Sequence, residues 1–261
     1  MKTTARTAAA IMAFALAAQA GVTLTQTMQQ LGGGQAPDTN VIRLDKDKVR
    51  IDIGRKADTY MIYDGARRVF LTVDAKRKSY MEVTEKDFEA MHAKMDEAME
   101  KMREQMKNMP PERRKMMEDM MAKMGGGAAK APKTEFKKVG DGGKVGQWPT
   151  TKYEGSREGA KVSEVWAAPP KSVGIQESDV EVLKDMGKFF GKFSKGMPDF
   201  MGDKDNGLEG LPIKTVSFKD GKPQWQSELT ALKKGDLAAS LFEVPAGFTQ
   251  TRMGMPEKKG G

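Results

Sequence analysis

The chain has no cysteine and a single histidine among 261 residues. Without cysteine it can form no disulfide, thiolate nucleophile or cysteine-based metal cluster, and it offers no thiol for a lipid anchor. With His92 alone, a Cys–His pair is excluded, and a Ser–His–Asp set has one place to form, on a Met-rich helix. "GDGGKVG" (residues 140–146) is glycine-rich but lacks the order of a phosphate-binding loop, so it reads as a turn. "DKDNG" (Asp203 to Gly207) has no glutamate at the twelfth position of a calcium loop and reads as a solvated loop. The expectation is a protein that is not an enzyme and uses no cofactor. Past the N-terminus, no apolar run approaches the roughly 18–20 residues of a bilayer-spanning helix.

The first twenty residues, "MKTTARTAAAIMAFALAAQA", have a basic start (Lys2, Arg6), a short apolar run and small residues at Ala18 and Ala20. This predicts a secretory signal cleaved after Ala20 and a periplasmic or secreted protein with no lipid anchor. The net charge is +8, of which Lys2 and Arg6 contribute two. A basic exported protein suits contact with anionic membrane surfaces, and no nucleic-acid motif is present. Residues 21–40, with "LGGGQAPD", read as a flexible N-terminal junction, and residues 41–250 as one domain. Residues 251–261 read as a disordered basic tail.

"DKVRIDIG", "TYMIYDG", "RRVFLTVD" and "KSYMEV" are alternating or β-branched runs that predict an antiparallel meander. Val49, Ile51 and Ile53 share one face and Arg50 and Asp52 the other. Asp64-Gly65 predicts a two-residue hairpin. Thr84, with acidic Glu85 and Asp87 behind it, predicts a helix N-cap. Strands resume with "TEFKKV", "KVGQWPTTKYEGS" and "KVSEVWAAP". A helix N-capped by Ser178 follows, then "LPIKTVSF" and "PQWQSELTAL" around the turn "KDGK". The fold class is α+β: a curved antiparallel sheet, interrupted and crossed by a helical insertion (84–124) that ends in a Gly-rich linker (125–133).

The insertion is where the sequence is most unusual. Eleven of the 21 methionines fall between Met91 and Met124, and residues 84–124 hold no leucine, isoleucine or tryptophan. At 100° per residue, Phe88, Met91, Met95, Met99, Met102, Met106 and Met109 fall in an arc of roughly 80°, with charged residues opposite. Such a stripe is covered by something, and three occupants compete. A core of fixed shape is better specified by Leu, Ile and Phe than by Met. An adaptable face suits a variable apolar partner. This favours a lid, formed by Phe88, Met91, Met95, Met99, Met102 and Met106, over a hydrophobic or lipid-like ligand, with Trp166 on the pocket floor and the protein a monomer. The alternatives are a Cu(I) site made by His92, Met95 and Met99, since thioethers select Cu(I), and a face that docks another envelope protein.

Taken in order, "YMIYDGARRVFLTVDAKRKSYMEVT", "MPPERRKMMEDM", "GQWPTTKYEGSREGAKVSEVWAAP", "LPIKTVSF" and "LFEVPAGF" resemble the exported proteins grouped as domain of unknown function 4412. The resemblance runs from about Val41 to Phe248. It implies kinship with the LolA/LppX-type fold, an antiparallel half-barrel with helices across its concave face, whose members carry lipids or lipidated proteins. Many relatives have a cysteine where this chain has Thr150, so the resemblance implies no thiol-dependent role here. For the arginine on which the lipoprotein carrier depends, Arg50 is a loose candidate.

Overall fold

The computed structural model describes residues 21–54, 56, 58–107, 109–110, 112–114, 116, 134–191 and 206–251. The expected signal segment, most of the helical insertion after Lys107, the linker, Asp203 to Asp205 and most of the basic tail lie outside them. Twelve strands make one sheet: β1 (Gly21–Gln30), β2 (Asp38–Asp45), β3 (Lys48–Ile53), β4 (Thr59–Asp64), β5 (Val69–Asp74), β6 (Ser79–Thr84), β7 (Glu135–Val145), β8 (Trp148–Arg157), β9 (Ala160–Ala168), β10 (Leu211–Lys219), β11 (Lys222–Gly235) and β12 (Thr249–Thr251). Their order is β12-β6-β5-β4-β3-β2-β1-β11-β10-β9-β8-β7. All neighbours are antiparallel except β12, which runs parallel to β6. The sheet is curved and does not close, and with its helices the class is α+β.

Two meanders, β1–β6 and β7–β11, meet where β1 pairs with β11. The expected flexible junction is therefore corrected: residues 21–30 form an interior strand, hydrogen-bonded on both sides. Val22 and Leu24 enter the core, but Gln26, Met28 and Gln30 follow at the next inward positions. Alternation of apolar residues thus stops after two, and the strand is held mainly by its backbone partners.

The two arginine-rich hairpins share one device. After Asp64 and after Asp74 the chain makes four-residue loops rather than the two-residue turn expected at Asp64-Gly65. Each aspartate accepts a hydrogen bond from the amide three residues on, Arg67 at 3.0 Å and Arg77 at 2.8 Å. The left-handed residue is the last of each loop, Arg68 (φ 53°) or Lys78 (φ 50°). Local aspartate bonds of this kind compete with the hairpin geometry that Asp-Gly favours. A second correction concerns residues 140–145, which belong to β7 and not to a turn. Its glycines sit where the register with β8 slips twice, after Lys138 and after Asp141.

Helix α1 (Glu85–Lys107) starts as its sequence dictates. The Thr84 amide donates to Asp87 Oδ2 (2.8 Å), and the Asp87 amide donates to Thr84 Oγ1 (3.2 Å), a reciprocal box. The Thr84 hydroxyl and amide hold the Asp87 carboxyl below its ordinary 3.8. Because the folded value is depressed, this cap is fully present above about pH 4 and is lost as pH falls through the lowered value. Protection of the Glu85 to Ala90 amides, taken relative to their intrinsic exchange rates, should therefore fall below pH 4, and Asp87→Asn should flatten that pH dependence. Equal profiles for the two proteins would show that the box does not hold the helix start.

Helix α2 (Glu181–Gly191) lies over the sheet. Val182, Leu183, Met186 and Phe189 pack with Val22, Leu44, Val49 and Tyr63 in the main core. It enters through a 3-10 turn, Glu177–Val180, where the Gln176 amide donates to Asp179 Oδ2 (2.8 Å). Gln176, not Ser178, occupies the cap. On the opposite face, Leu237, Leu241, Phe242, Val244 and Phe248 of the C-terminal segment cover Tyr60, Ile62, Leu71 and Val73. None of the described helices is long and apolar enough to cross a membrane.

Candidate functional site

Among the described side chains of α1, Phe88 alone packs against the main core. Its ring meets Phe189 edge-on at 5.6 Å and Phe190 at 6.2 Å, while Phe190 meets Phe70 at 4.8 Å. Arg68 pins the same corner. Its guanidinium lies 3.5 Å from Glu85 of α1 and 3.1 Å from Asp185 of α2. Asp185 also accepts the Tyr63 hydroxyl at 2.7 Å. Burial, and then this bond to Asp185, push the Tyr63 pKa well above its ordinary 10.0, so the hydroxyl stays a donor. The Met-rich helix is thus rooted at one end, beside β6, and the helix across the sheet is α2.

Along the stripe, cover increases away from that root. Met91 is 41% exposed and Met106 is 6% exposed, with Met99, Met102 and Met109 half-buried between and after them. The side chains of His92 and Met95, two of the three expected Cu(I) ligands, lie outside the described ones. Among the described residues no group of three His, Asp or Glu is placed to hold a metal ion. At the far end, Arg114 reaches back to the carbonyls of Met106 (3.2 Å), Lys107 (3.0 Å) and Met109 (3.4 Å). A guanidinium there satisfies free carbonyls and faces the negative end of the helix dipole.

Trp166 is half-buried beside the main core, but its ring is flanked by two cations. Lys152 Nζ lies 4.7 Å from the ring centre and Lys214 Nζ lies 5.3 Å away. Lys152 also pairs with Glu164 at 3.0 Å, and Lys161 does so at 2.7 Å. Despite burial, the hydrogen bonds from Lys161 and Lys152 hold the Glu164 carboxyl below its ordinary value. A tryptophan between ammonium groups is a polar-edged floor rather than an apolar one. Thr150 is buried and donates to the Gly143 carbonyl at 3.0 Å.

The sequence reading missed the rest of the helix-bearing face. Along β1, β2, β3 and β11, successive inward positions pass from the core under α2 to a stretch that α2 leaves open. Leu24, Ile42 and Ile51 are followed by Gln26, Asn40 and Ile53, and then by Met28 beside Ser227 and Gln30 beside Trp225. There Ile53 is 44%, Met28 37% and Trp225 47% exposed. The Asn40 side-chain amide donates to the Met28 sulfur. The signal for this surface was available: an apolar residue at an inward strand position, separated from its core by polar neighbours.

Arg50, the loose candidate for the carrier's arginine, stands on the face away from α1 and α2. It stacks on Tyr60, 3.7 Å from the ring centre, and donates to Asp52 and to the Leu241 carbonyl. Two clefts of about 390 Å³ lie on this face, either side of the C-terminal segment.

Likeness to other proteins is informative at the level of the sequence family. No curated protein matches the chain in sequence. Among solved structures, PNGF-II is 14% identical with a TM-score of 0.38, over 89% of this chain and 31% of that one. MucB is 12% identical with a TM-score of 0.34, over 89% of this chain and 60% of that one. MucB in complex with MucA(peri) gives 13% and 0.32, with 56% of that chain covered. The chain therefore spans less than two thirds of these proteins. The family described as "Domain of unknown function (DUF4412)" matches residues 91–248, which take in α1 from Met91 onward, α2, the second meander and the C-terminal segment that covers the first. By that match, the chain belongs to the DUF4412 family.

Proposed function

We propose that this is an exported, non-enzymatic protein that binds a hydrophobic or lipid-like ligand on the helix-bearing face of its sheet, under the Met-rich helix. The open stretch of that face, with Met28, Ile53 and Trp225 in solvent beside a dry core, carries the proposal. Large apolar residues that continue a core into water mark a binding surface. Covering them returns about 25 cal/mol for each Å² of apolar surface removed from water. Helix α1 is rooted through Phe88 and Arg68 and offers a half-covered Met stripe, which can repack around ligands of different shape. In this reading the sheet is a half-barrel of the LolA type. Phe88, Met91, Met95, Met99, Met102 and Met106 form its lid, and Met28, Ile53 and Trp225 replace Trp166 as its floor.

Two variants test it by uptake of a fluorescent acyl probe. Trp225→Asp should lower affinity at least about tenfold with little change in melting temperature, since the ring is half-exposed. Replacing Met95, Met99 and Met102 together by Leu should lower uptake while stability holds or rises. Unchanged uptake in both variants would return the stripe to the role of plain core.

A further inference from the structure

We propose that the cleft between β2, β3 and the turn at Leu241 is a second binding site, for a monovalent carboxylate carrying a short hydrocarbon chain. The cleft is lined by Thr39, Val41, Arg43, Arg50, Asp52, Gly54 and Leu241 and lies on the face away from α1 and α2. It is thus independent of the ligand proposed above.

The charge arrangement sets the ligand. Asp52 is 5% exposed, yet two arginines converge on it. Arg50 donates through Nε (2.9 Å) and Nη2 (2.7 Å) to Oδ1, and Arg43 donates through Nη1 to Oδ2. Arg50 is held on three sides, because its Nη1 also donates to the Leu241 carbonyl at 2.9 Å and its plane lies on Tyr60. Its charge is balanced by Asp52. The charge of Arg43 is the surplus, and its guanidinium keeps further N–H donors in a fixed fork on a partly exposed side chain. Such a fork matches a carboxylate with two parallel bonds.

Asp52 at the base repels a dianion more than a monoanion, which selects against phosphate. Val41 and Leu241 supply apolar wall, and Thr39 a hydroxyl, so a bare inorganic anion would leave the apolar part of the cleft unused. The other cleft on this face has no such surplus. There Lys48 and Arg67 are met by Asp64 and Glu82.

Titration calorimetry of the full chain with octanoate, 1-octanol and inorganic phosphate tests the site. Octanoate should bind one to one, and octanol and phosphate at least about tenfold more weakly, because each lacks one half of the recognition. Amide shifts on adding octanoate should centre on Thr39 to Arg43 and Arg50 to Gly54. Arg43→Gln should weaken octanoate at least about tenfold, and Arg43→Lys should recover it only in part. Val41→Asp sets a second carboxylate directly across from Asp52 and beside Arg43, so it takes up the surplus charge while both arginines stay in place, and it keeps the test available should Arg43→Gln fold poorly. It too should weaken binding. The site is overturned by absence of octanoate binding, by octanol binding equally well, by amide shifts on the helix-bearing face instead, or by wild-type affinity in Arg43→Gln and Val41→Asp.

Discussion

Phe189→Ala should destabilise the protein by about 3–5 kcal/mol, the largest loss expected from a single apolar truncation here. Phe189 is fully buried in α2, and its ring lies 5.4 Å from Tyr63, 5.6 Å from Phe88 and 5.3 Å from Phe190. One side chain therefore joins the sheet, the helix across it and the root of the Met-rich helix. Removing it leaves a void that three aromatic rings cannot fill without leaving their edge-on packing. Urea unfolding should show the loss as a lower midpoint, and the melting temperature should fall by on the order of 10 °C. Amide exchange at the start of α1 should quicken in the same variant. A loss below about 1 kcal/mol would mean that α2 does not anchor the corner.

Asp52→Ala is the second large effect, again about 3–5 kcal/mol, by a different route. Coulomb attraction between Asp52 and its arginines is ordinary. The loss comes from leaving Arg43 and Arg50 close together in a nearly buried place with no counter-charge. A double variant that also carries Arg43→Met should be more stable than Asp52→Ala alone, since it removes one of the two stranded cations. By contrast, Glu97→Ala breaks an exposed pair with Lys101 on α1 and should leave the unfolding midpoint unchanged. If Asp52→Ala were as silent as Glu97→Ala, water would have to screen the arginine pair, and the cleft would lack the surplus charge assigned to it.

How much of this was legible in the sequence depends on the kind of interaction that decides each element. The first meander was legible because Val49 and Ile51 alternate with Arg50 and Asp52, and a strand buried on one side must alternate. The start of α1 was legible because Thr84 and Asp87 satisfy each other within one turn. Both are local facts. Strand β1 was not legible, because what makes it a strand is β11, about two hundred residues away, while after Leu24 its inward positions are Gln26, Met28 and Gln30, which break the apolar alternation.

That α2 fills the main core was not legible for a related reason. An apolar stripe says that a helix must be covered, but not by which surface. Phe189, Leu183 and Met186 make a shorter stripe than the methionines, yet they fill the core. The lid candidates share one helix and so could be grouped by periodicity, whereas the setting of Trp166, a ring flanked by Lys152 and Lys214, depends on strands apart in sequence. Met28, Ile53 and Trp225 come from three strands far apart in sequence. Only the register of the sheet brings them to one face.

The central claim is that an apolar ligand belongs between this open face and the Met stripe. Native mass spectrometry of the protein purified from the cell envelope without detergent tests it most directly. The account predicts a set of added masses of lipid size that disappear on denaturation and are depleted in Trp225→Asp. A bare polypeptide mass from every preparation would contradict it, as would a single increment of one copper atom.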